Sequence, residues 1–269
     1  MKLEKQPKLT LVGAGPGDPE LITIKGVKAL STADVVFYDA LVNTELLEYA
    51  PKALKVFVGK RKGLHRYGQE EINELIVQYA LKYGHVVRLK GGDPFIFGRG
   101  AEELDYAEKF NIQVEVISGI SSSIAVPAHA GISLTKRFIS ESFWVITGTT
   151  SDGQLSEDIS LAARSTATVV ILMGMSKLKE ILGLFKENNK AELPVAIIEN
   201  GTTAYERSVA GTVSTISGQV EKKKISSPAI IVIGEVVRES HKLRSFFAHA
   251  EAAPHVIFSE SEPKRIRVA

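Results

Sequence analysis

The feature that most constrains the fold is a series of short apolar runs in the first half of the chain, most of which end at a glycine or aspartate turn. Five such runs are predicted to be strands: Leu9–Val12, Asp34–Tyr38, Leu54–Val58, Val86–Leu89 and Val114–Ile117. Ile24–Leu30 is predicted to be a helix, and the helical pattern is clearest over Gln69–Tyr83, where apolar residues recur at intervals of three and four. Strands and helices alternating at this spacing indicate a mostly parallel sheet covered on both faces.

The second half of the chain has a different pattern. Its strand-like segments are Trp144–Thr147, Thr168–Leu172, Val195–Ile198, Ser208–Val213 and Ala229–Ile233. Only Lys177–Asn188 has a clear helical pattern among them, which favours a mixed sheet in a second α/β domain. We predict an N-terminal domain over residues 1–135 and a C-terminal domain over 136–240, with the join near Leu134–Ser142. After Val237 we predict a short helix, and a tail follows over 241–269.

Composition and charge exclude several classes of function. Lys and Arg total 33 against 31 acidic residues, so no general affinity for nucleic acid is expected. The absence of cysteine excludes disulfides, thiolate zinc sites and a cysteine nucleophile. The six histidines do not pair at metal-ligand spacing, and no metal is predicted. Without a signal peptide or an apolar run of about 18 residues, we expect a cytoplasmic protein with no membrane segment.

The first glycine turn, "VGAGPGDPE", follows the first predicted strand. A dinucleotide fingerprint needs G-x-G-x-x-G, and Gly13 and Gly15 fit the first two positions. The third position is Asp18, a carboxylate, and Pro16 removes a backbone N–H that a phosphate would use. The turn therefore either only reverses the chain or brings backbone close to a ligand that has no phosphate.

A second glycine turn, "RLKGGDPFIFGRG", also follows a predicted strand and also contains Gly-Asp-Pro. Asp93 by itself could be a turn or helix cap. Two such turns at strand ends of one parallel sheet predict a ligand crevice at the carboxyl edge of that sheet.

The other candidate residues at this edge are charged. Asp39 ends the predicted strand 34–38, and Asn43 and Thr44 are better placed than Asp39 to cap the segment that follows. The stretch "VGKRKGLHR" is basic, with Lys60, Arg61, Lys62, His65 and Arg66. It is either a solvated loop or, given its position after a strand, a site that neutralises a multiply carboxylated ligand.

Several stretches occur together in one known family. These are "LVGAGPGDPELIT", "ADVVFYDALV", "VGKR", "VRLKGGDPFIFGRG", "AGISLTKR", "PVAIIENGTT" and "SSPAIIVIGEVV". In this order they resemble the uroporphyrinogen-III C-methyltransferases of the tetrapyrrole methylase superfamily. The resemblance runs from about Leu9 to Val237, which is nearly the whole chain apart from the tail.

The resemblance implies two α/β domains of the tetrapyrrole methylase type, with the active site in the cleft between them, and a homodimer. It implies S-adenosylmethionine as methyl donor and no metal. Two successive methylations of ring carbons of uroporphyrinogen III would give precorrin-2, a precursor of sirohaem and cobalamin.

The resemblance also implies roles for individual residues. The contacts to S-adenosylmethionine would be Pro16, Gly91, Gly92, Asp93, Ile96, Ser121, Ser122, Met173 and Gly201. Asp39 would be the proton acceptor and Lys60 the proton donor. Candidate partners for the substrate carboxylates are Arg61, His65 and Arg66 of the basic stretch, together with Arg88, Arg99 and Arg137. The chain departs from the family at Ser121-Ser122, where Thr-Ala is common, and at His129, where an aromatic residue is common.

Three alternatives stay open from the sequence. The nearest is a related methyltransferase acting on a later precorrin, and superfamily members that modify rRNA or the diphthamide precursor are more distant. The third is a non-catalytic protein that binds S-adenosylmethionine. Because no additional G-x-G-x-x-G segment is found, no dehydrogenase or ferrochelatase activity is expected.

Overall fold

The computed structural model describes residues 6–59 and 67–247, which form two five-stranded sheets with helices packed on both faces. The first sheet contains β1 (Lys8–Gly13), β2 (Val35–Tyr38), β3 (Leu54–Phe57), β4 (His85–Lys90) and β5 (Gln113–Ile117). Its strand order is β3-β2-β4-β1-β5, and every pairing is parallel. The parallel sheet predicted from the sequence is confirmed.

Alternating side chains of the first sheet pack into two separate cores. Leu9 and Leu11 of β1 lie in one core with apolar residues of the second and third helices, whereas Val12 lies in the other with the first helix. The helices of this part of the chain are α1 (Ile24–Ser31), α2 (Gln69–Tyr83) and α3 (Gly100–Glu108). Coverage on both faces explains why these strands are continuous apolar runs rather than alternating ones.

The second sheet is mixed, as predicted. It contains β6 (Phe143–Thr147), β7 (Thr168–Leu172), β8 (Pro194–Glu199), β9 (Arg207–Thr212) and β10 (Ala229–Ile233) in the order β6-β7-β10-β8-β9. Only β6 and β7 pair in parallel, and the other pairings are antiparallel. One face is covered by α5 (Asp158–Arg164), α6 (Leu178–Glu187) and α7 (Ile216–Lys223).

The helix α4 (Ser122–His129) follows the last strand of the first sheet but packs against the second. Its Val126 shares a core with Val170 of β7 and Val232 of β10. The crossing from one sheet to the other thus starts at about residue 118, directly after β5. The domain limits at residues 135 and 240 stay a prediction.

Four helices were not predicted from the sequence: α3, α4, α5 and α7. The buried residues of α3 are Gly100, Glu103 and Ala107, and α4 contains Pro127. The helices α5 and α7 have only seven and eight residues. Beyond Val237, where a short helix was predicted, a single 3₁₀ turn spans Arg244–Phe246, and residues 248–269 of the tail lie outside the described residues.

Candidate functional site

A large cleft separates the carboxyl edge of the first sheet from the loops of the second. Its volume is about 1120 Å³, larger than the roughly 300–1,000 Å³ of a pocket for one small ligand. It therefore has room for a methyl donor together with part of a second molecule. We call the described lining residues from Gly15 to Arg99, together with Gly13 and Gly119 that pack behind them, the first wall, and the lining residues from Ser121 to Ile230 the second wall.

The first wall is built by backbone packed on backbone. The loops after β1 and β4 join through two hydrogen bonds, in which Gly15 N–H donates to Gly92 O at 3.2 Å and Gly92 N–H donates to Gly15 O at 2.7 Å. A Cβ on Gly13 would lie 2.3 Å from Gly119 N, and one on Gly119 would lie 2.3 Å from Gly92 O. Only glycine fits at these contacts, since side-chain carbons do not approach backbone atoms so closely.

Two aspartates hold the shape of these loops. Asp93 accepts hydrogen bonds from Phe95 N–H at 2.8 Å and from Gly119 N–H at 3.0 Å, so its carboxylate joins the loops after β4 and β5. Asp18 caps a 3₁₀ turn by accepting from Glu20 N–H at 2.9 Å. Both carboxylates are engaged by backbone donors. The contact of Asp93 with the methyl donor stays a prediction, and in the structure its carboxylate joins two loops.

The second wall contributes backbone and uncharged side chains. Gly201 lies against α4, and a Cβ there would be 2.3 Å from Val126 Cγ1. Met173, Asn200 and Thr202 have left-handed backbone conformations, as do Phe97 and Arg99 of the first wall. Five of the nine described non-glycine residues with positive φ thus line the cleft. Strained backbone of this kind collects at functional sites because surrounding structure has to hold it.

A buried ionic group lies at the floor of the first wall. Arg88 and Lys90 are two residues apart on β4, and both contact Glu103 of α3. Glu103 Oε1 lies 3.2 Å from Arg88 Nε and 2.9 Å from Lys90 Nζ. Arg88 Nη1 also lies 3.4 Å from Asp39 Oδ2. Burial lowers the pKa of the Lys90 ammonium, and the charge of Arg88 acts in the same direction, while Glu103 opposes both.

Nearly all of the described candidates meet in this cleft. Its lining includes Asp39, Arg99 and the nine residues assigned to the methyl donor, which are Pro16, Gly91, Gly92, Asp93, Ile96, Ser121, Ser122, Met173 and Gly201. Arg137 is exposed and is not among the lining residues. Lys60, Arg61, His65 and Arg66 lie outside the described residues.

Departures from the family pattern have local partners. Ser121 caps α4 by accepting from Ser123 N–H at 3.3 Å, so its hydroxyl has a structural use at the cleft. His129 Nδ1 lies 2.8 Å from Glu206 Oε2, and the same oxygen accepts from Thr202 N–H at 2.7 Å. This contact connects α4 to the loop that carries Gly201.

Sequence reasoning missed Lys90, Glu103 and Thr202. Charged residues at alternate positions of an otherwise apolar strand, as in "VVRLK", were a signal for Lys90. No sequence signal pointed to Glu103, because neighbouring glutamates on a helix are ordinarily exposed. Among residues 6–59 and 67–247, no three His, Asp or Glu side chains gather as metal ligands, and no helix combines the length and apolar character needed to cross a bilayer.

Comparisons with known proteins agree on one family. The model of the Tetrapyrrole (Corrin/Porphyrin) Methylases matches residues 8–217. The chain is 50% identical to the uroporphyrinogen-III C-methyltransferase of Methanocaldococcus jannaschii over 233 residues, which cover 86% of this chain and 96% of that protein.

Solved structures share the fold. A uroporphyrin-III C-methyl transferase from Thermus thermophilus, complexed with S-adenyl homocysteine, has a TM-score of 0.75 and 36% identity, covering 86% of this chain and 99% of that one. The cobalt precorrin-4 methyltransferase has a TM-score of 0.76 and 27% identity, covering 86% and 95% of the two chains.

Proposed function

Because the chain belongs to the tetrapyrrole (corrin/porphyrin) methylases, we propose that it is an S-adenosylmethionine-dependent uroporphyrinogen-III C-methyltransferase. Two successive methylations of ring carbons would give precorrin-2. The observation that carries the proposal is the 50% identity to the M. jannaschii enzyme across nearly its full length. The relative bound to S-adenyl homocysteine supports the same donor class.

The residues of the cleft fit S-adenosylmethionine. The donor has an amino acid, a sulfonium and an adenosine but no phosphate, and the cleft has glycine backbone, serine hydroxyls and apolar side chains from two walls. A Cβ on Gly91 would lie 2.8 Å from the Cβ of Leu41, another lining residue, so only glycine fits there and the loop contributes backbone to the cleft. When bound, S-adenosylmethionine supplies an activated methyl group.

The chain contributes alignment and removal of a proton. Holding the reacting atoms in line can lower the activation barrier by about 7–11 kcal/mol. A carbon–carbon bond to the ring would form as the methyl–sulfur bond breaks and S-adenosylhomocysteine leaves. The ring then loses a proton, and we assign its acceptance to the Asp39 carboxylate. Asp39 Oδ1 accepts from Leu41 N–H at 3.0 Å, which fixes the side chain. A positioned base contributes a further ~10²–10⁴-fold.

Charge near the first wall suits a multiply carboxylated substrate. Arg99 lines the cleft and pairs with Glu102, with Nε–Oε1 at 2.8 Å. We assign Arg99, together with the basic residues of "VGKRKGLHR", to the substrate carboxylates, and Lys60 to the proton donor. The proposal also includes a cytoplasmic homodimer and the domain limits at residues 135 and 240.

A later precorrin as substrate is the second candidate, and the specific observation behind it is the fold. The TM-score to the cobalt precorrin-4 methyltransferase, 0.76, equals that to the T. thermophilus enzyme within 0.01, so the fold alone does not separate the two. Sequence identity favours the first candidate, because it is 50% with the M. jannaschii enzyme and 27% with the precorrin-4 enzyme.

The test is anaerobic incubation of the protein with S-adenosylmethionine and uroporphyrinogen III, followed by mass analysis of the tetrapyrrole. A gain of two methyl groups is expected. If methyl groups are gained only when a previously methylated tetrapyrrole is supplied, the later-precorrin alternative is correct. Binding of S-adenosylmethionine with no methylation of any tetrapyrrole would favour the non-catalytic alternative.

A further inference from the structure

The ionic group at the floor of the first wall is almost completely buried. Arg88 and Lys90 are each 4% exposed, and Glu103 is 1% exposed. Arg88 and Lys90 are two residues apart on β4, so both side chains lie on the same face of the sheet. That face is covered by α3, which carries Glu103.

Every oxygen of the Glu103 carboxylate is engaged. Oε1 accepts from Arg88 Nε at 3.2 Å, from Lys90 Nζ at 2.9 Å and from Gln69 Nε2 at 3.1 Å, and Oε2 accepts from Lys90 Nζ at 3.0 Å. Burying three charges costs free energy that apolar residues of similar size would not cost. Such a group next to a cleft is therefore a candidate for a functional role.

Arg88 is the member that reaches the reacting side of the cleft. Its Nε contacts Glu103, whereas its Nη1 donates to Leu89 O at 2.8 Å and lies 3.4 Å from Asp39 Oδ2. Asp39 keeps 25% of its side chain exposed, so its carboxylate has one side toward Arg88 and another toward the cleft. The guanidinium thus joins a buried carboxylate to an accessible one.

We propose that Arg88 and Glu103 are positioning residues for the methyl transfer, with Glu103 holding the guanidinium so that it orients the Asp39 carboxylate. This inference rests on the proposed function and on the role of Asp39 in it. Lys90 makes the group neutral, because its positive charge and that of Arg88 offset the two carboxylates of Glu103 and Asp39.

The charges that face Asp39 among the described residues are those of Arg88 and Lys90 on β4, with Glu103 of α3 behind them. Burial lowers the pKa of Lys90, and the charges of Glu103 and, less strongly, Asp39 oppose that lowering, as this arrangement requires. In the Glu103→Gln variant we expect Lys90 to lose its proton at a lower pH and Arg88 to lose its anchor.

The test is a double-mutant cycle read by single-turnover transfer of a labelled methyl group. Glu103→Gln should lower the rate roughly tenfold, since small displacements of a catalytic group cost up to about 10²-fold. In the Asp39→Asn background the same substitution should lower the rate less than about twofold, because Glu103 then has no carboxylate to position. The KM for S-adenosylmethionine should stay the same in both backgrounds.

Two further variants separate positioning from folding. Arg88→Met, which removes the guanidinium that joins Glu103 to Asp39, should lower the rate about as much as Glu103→Gln in the wild-type background and less than about twofold in the Asp39→Asn background. Should Glu103→Gln fail to fold, Arg88→Lys takes its place in the cycle, since lysine keeps the charge but lacks the fork that joins two carboxylates. Asp105→Asn, on an exposed position of the same helix, is the matched control and should leave the rate unchanged.

Equal losses of rate in the wild-type and Asp39→Asn backgrounds would show that Glu103 acts only through stability, and would overturn this inference alone. A loss of rate in Arg88→Met that is equally large in the Asp39→Asn background would do the same. If the wild-type protein binds S-adenosylmethionine but methylates no tetrapyrrole, the proposed function fails and this inference fails with it.

Discussion

The two walls of the cleft differ in both charge and construction. Among the described lining residues, the charged side chains all come from the first wall: Asp18, Asp39, Glu45, Arg88, Lys90, Asp93 and Arg99. The second wall contributes none, although it supplies residues from Ser121 to Ile230. The first wall thus carries the groups that can move a proton or bind a carboxylate, and the second wall supplies shape.

The two walls also differ in how they are packed. In the first wall the closest approaches are between backbone atoms of Gly13, Gly92 and Gly119. In the second wall the equivalent close approach is between Gly201 and the side chain of Val126. Backbone atoms cannot move aside to relieve a clash with an added Cβ, whereas a neighbouring side chain can be replaced by a smaller one. The comparison therefore predicts different responses to mutation on the two sides.

The largest effect is expected at the charged wall. Asp39→Asn should lower the rate of methyl transfer by ~10²–10⁴-fold, because an amide cannot accept the proton. The asparagine oxygen can still accept from Leu41 N–H, so the loop should keep its shape and the affinity for S-adenosylhomocysteine should stay within about twofold. Transfer rates and calorimetric titration measure the two quantities. Glu45→Gln, an exposed carboxylate of the same wall, is the control for charge alone, and an equal loss there would contradict a specific role for Asp39.

Next in size is a comparison of two glycines. Gly119→Ala should lower the free energy of unfolding by about 3 kcal/mol or more, since its Cβ would meet Gly92 O and no side chain can move aside. Gly201→Ala should cost about 1–3 kcal/mol, and adding Val126→Ala should make the pair less damaging than the sum of the two single changes by about 1 kcal/mol.

Urea unfolding of the four variants measures both parts of that prediction. Gly183→Ala is a control with open space around its Cβ and should be neutral or stabilising. Strict additivity of Gly201→Ala and Val126→Ala would mean that side-chain packing does not limit the second wall.

A smaller effect is expected where the walls touch. Asp18 N–H donates to Thr202 Oγ1 at 3.2 Å, which joins the first glycine loop to the second wall. Thr202→Ala should cost about 0.5–1.5 kcal/mol of stability and weaken S-adenosylhomocysteine binding slightly. Thr202→Ser removes the same methyl group but keeps the hydroxyl, so it should behave like the wild-type protein. Equal behaviour of the alanine and serine variants, by unfolding and titration, would show that this bond contributes nothing.

The smallest expected effect is on the pH dependence of stability. It arises away from the cleft, at ion pairs that stabilise the first sheet. Lys25 and Lys8 bind Glu115 of β5, with Nζ–O distances of 2.7 Å and 2.8 Å. These bonds lower the pKa of the Glu115 carboxyl from its ordinary 4.5 to about 2. The stabilisation is complete above pH 4.5 and is lost as the pH falls toward 2, because protonation then breaks both ion pairs.

Glu115 is 31% exposed, so screening limits the contribution to about 0.5–1 kcal/mol. The pH dependence of unfolding should be flatter between pH 4.5 and 2 for Glu115→Gln than for the wild-type protein. Glu108→Gln, an exposed position on α3, should leave the curve unchanged. A wild-type curve for Glu115→Gln would contradict the assignment.

The sequence predicted the sheets well, because strand runs and turn glycines are local signals. The ten predicted strands correspond to β1–β10, and the two glycine loops meet where the parallel-sheet rule places them. The helices α3 and α4 were missed because burial of Glu103 and Pro127 follows from tertiary partners rather than from local pattern. The Arg88–Glu103 contact joins a strand to a helix on different parts of the chain, which spacing alone does not reveal.

The central claim is that one ligand, the methyl donor, lies between both walls. A crystal structure of the protein with S-adenosylhomocysteine tests it most directly. We predict that the bound nucleoside contacts the loop 91–93 of the first wall and both Met173 and Gly201 of the second. A nucleoside bound outside the cleft, or held by one wall alone, would contradict the account.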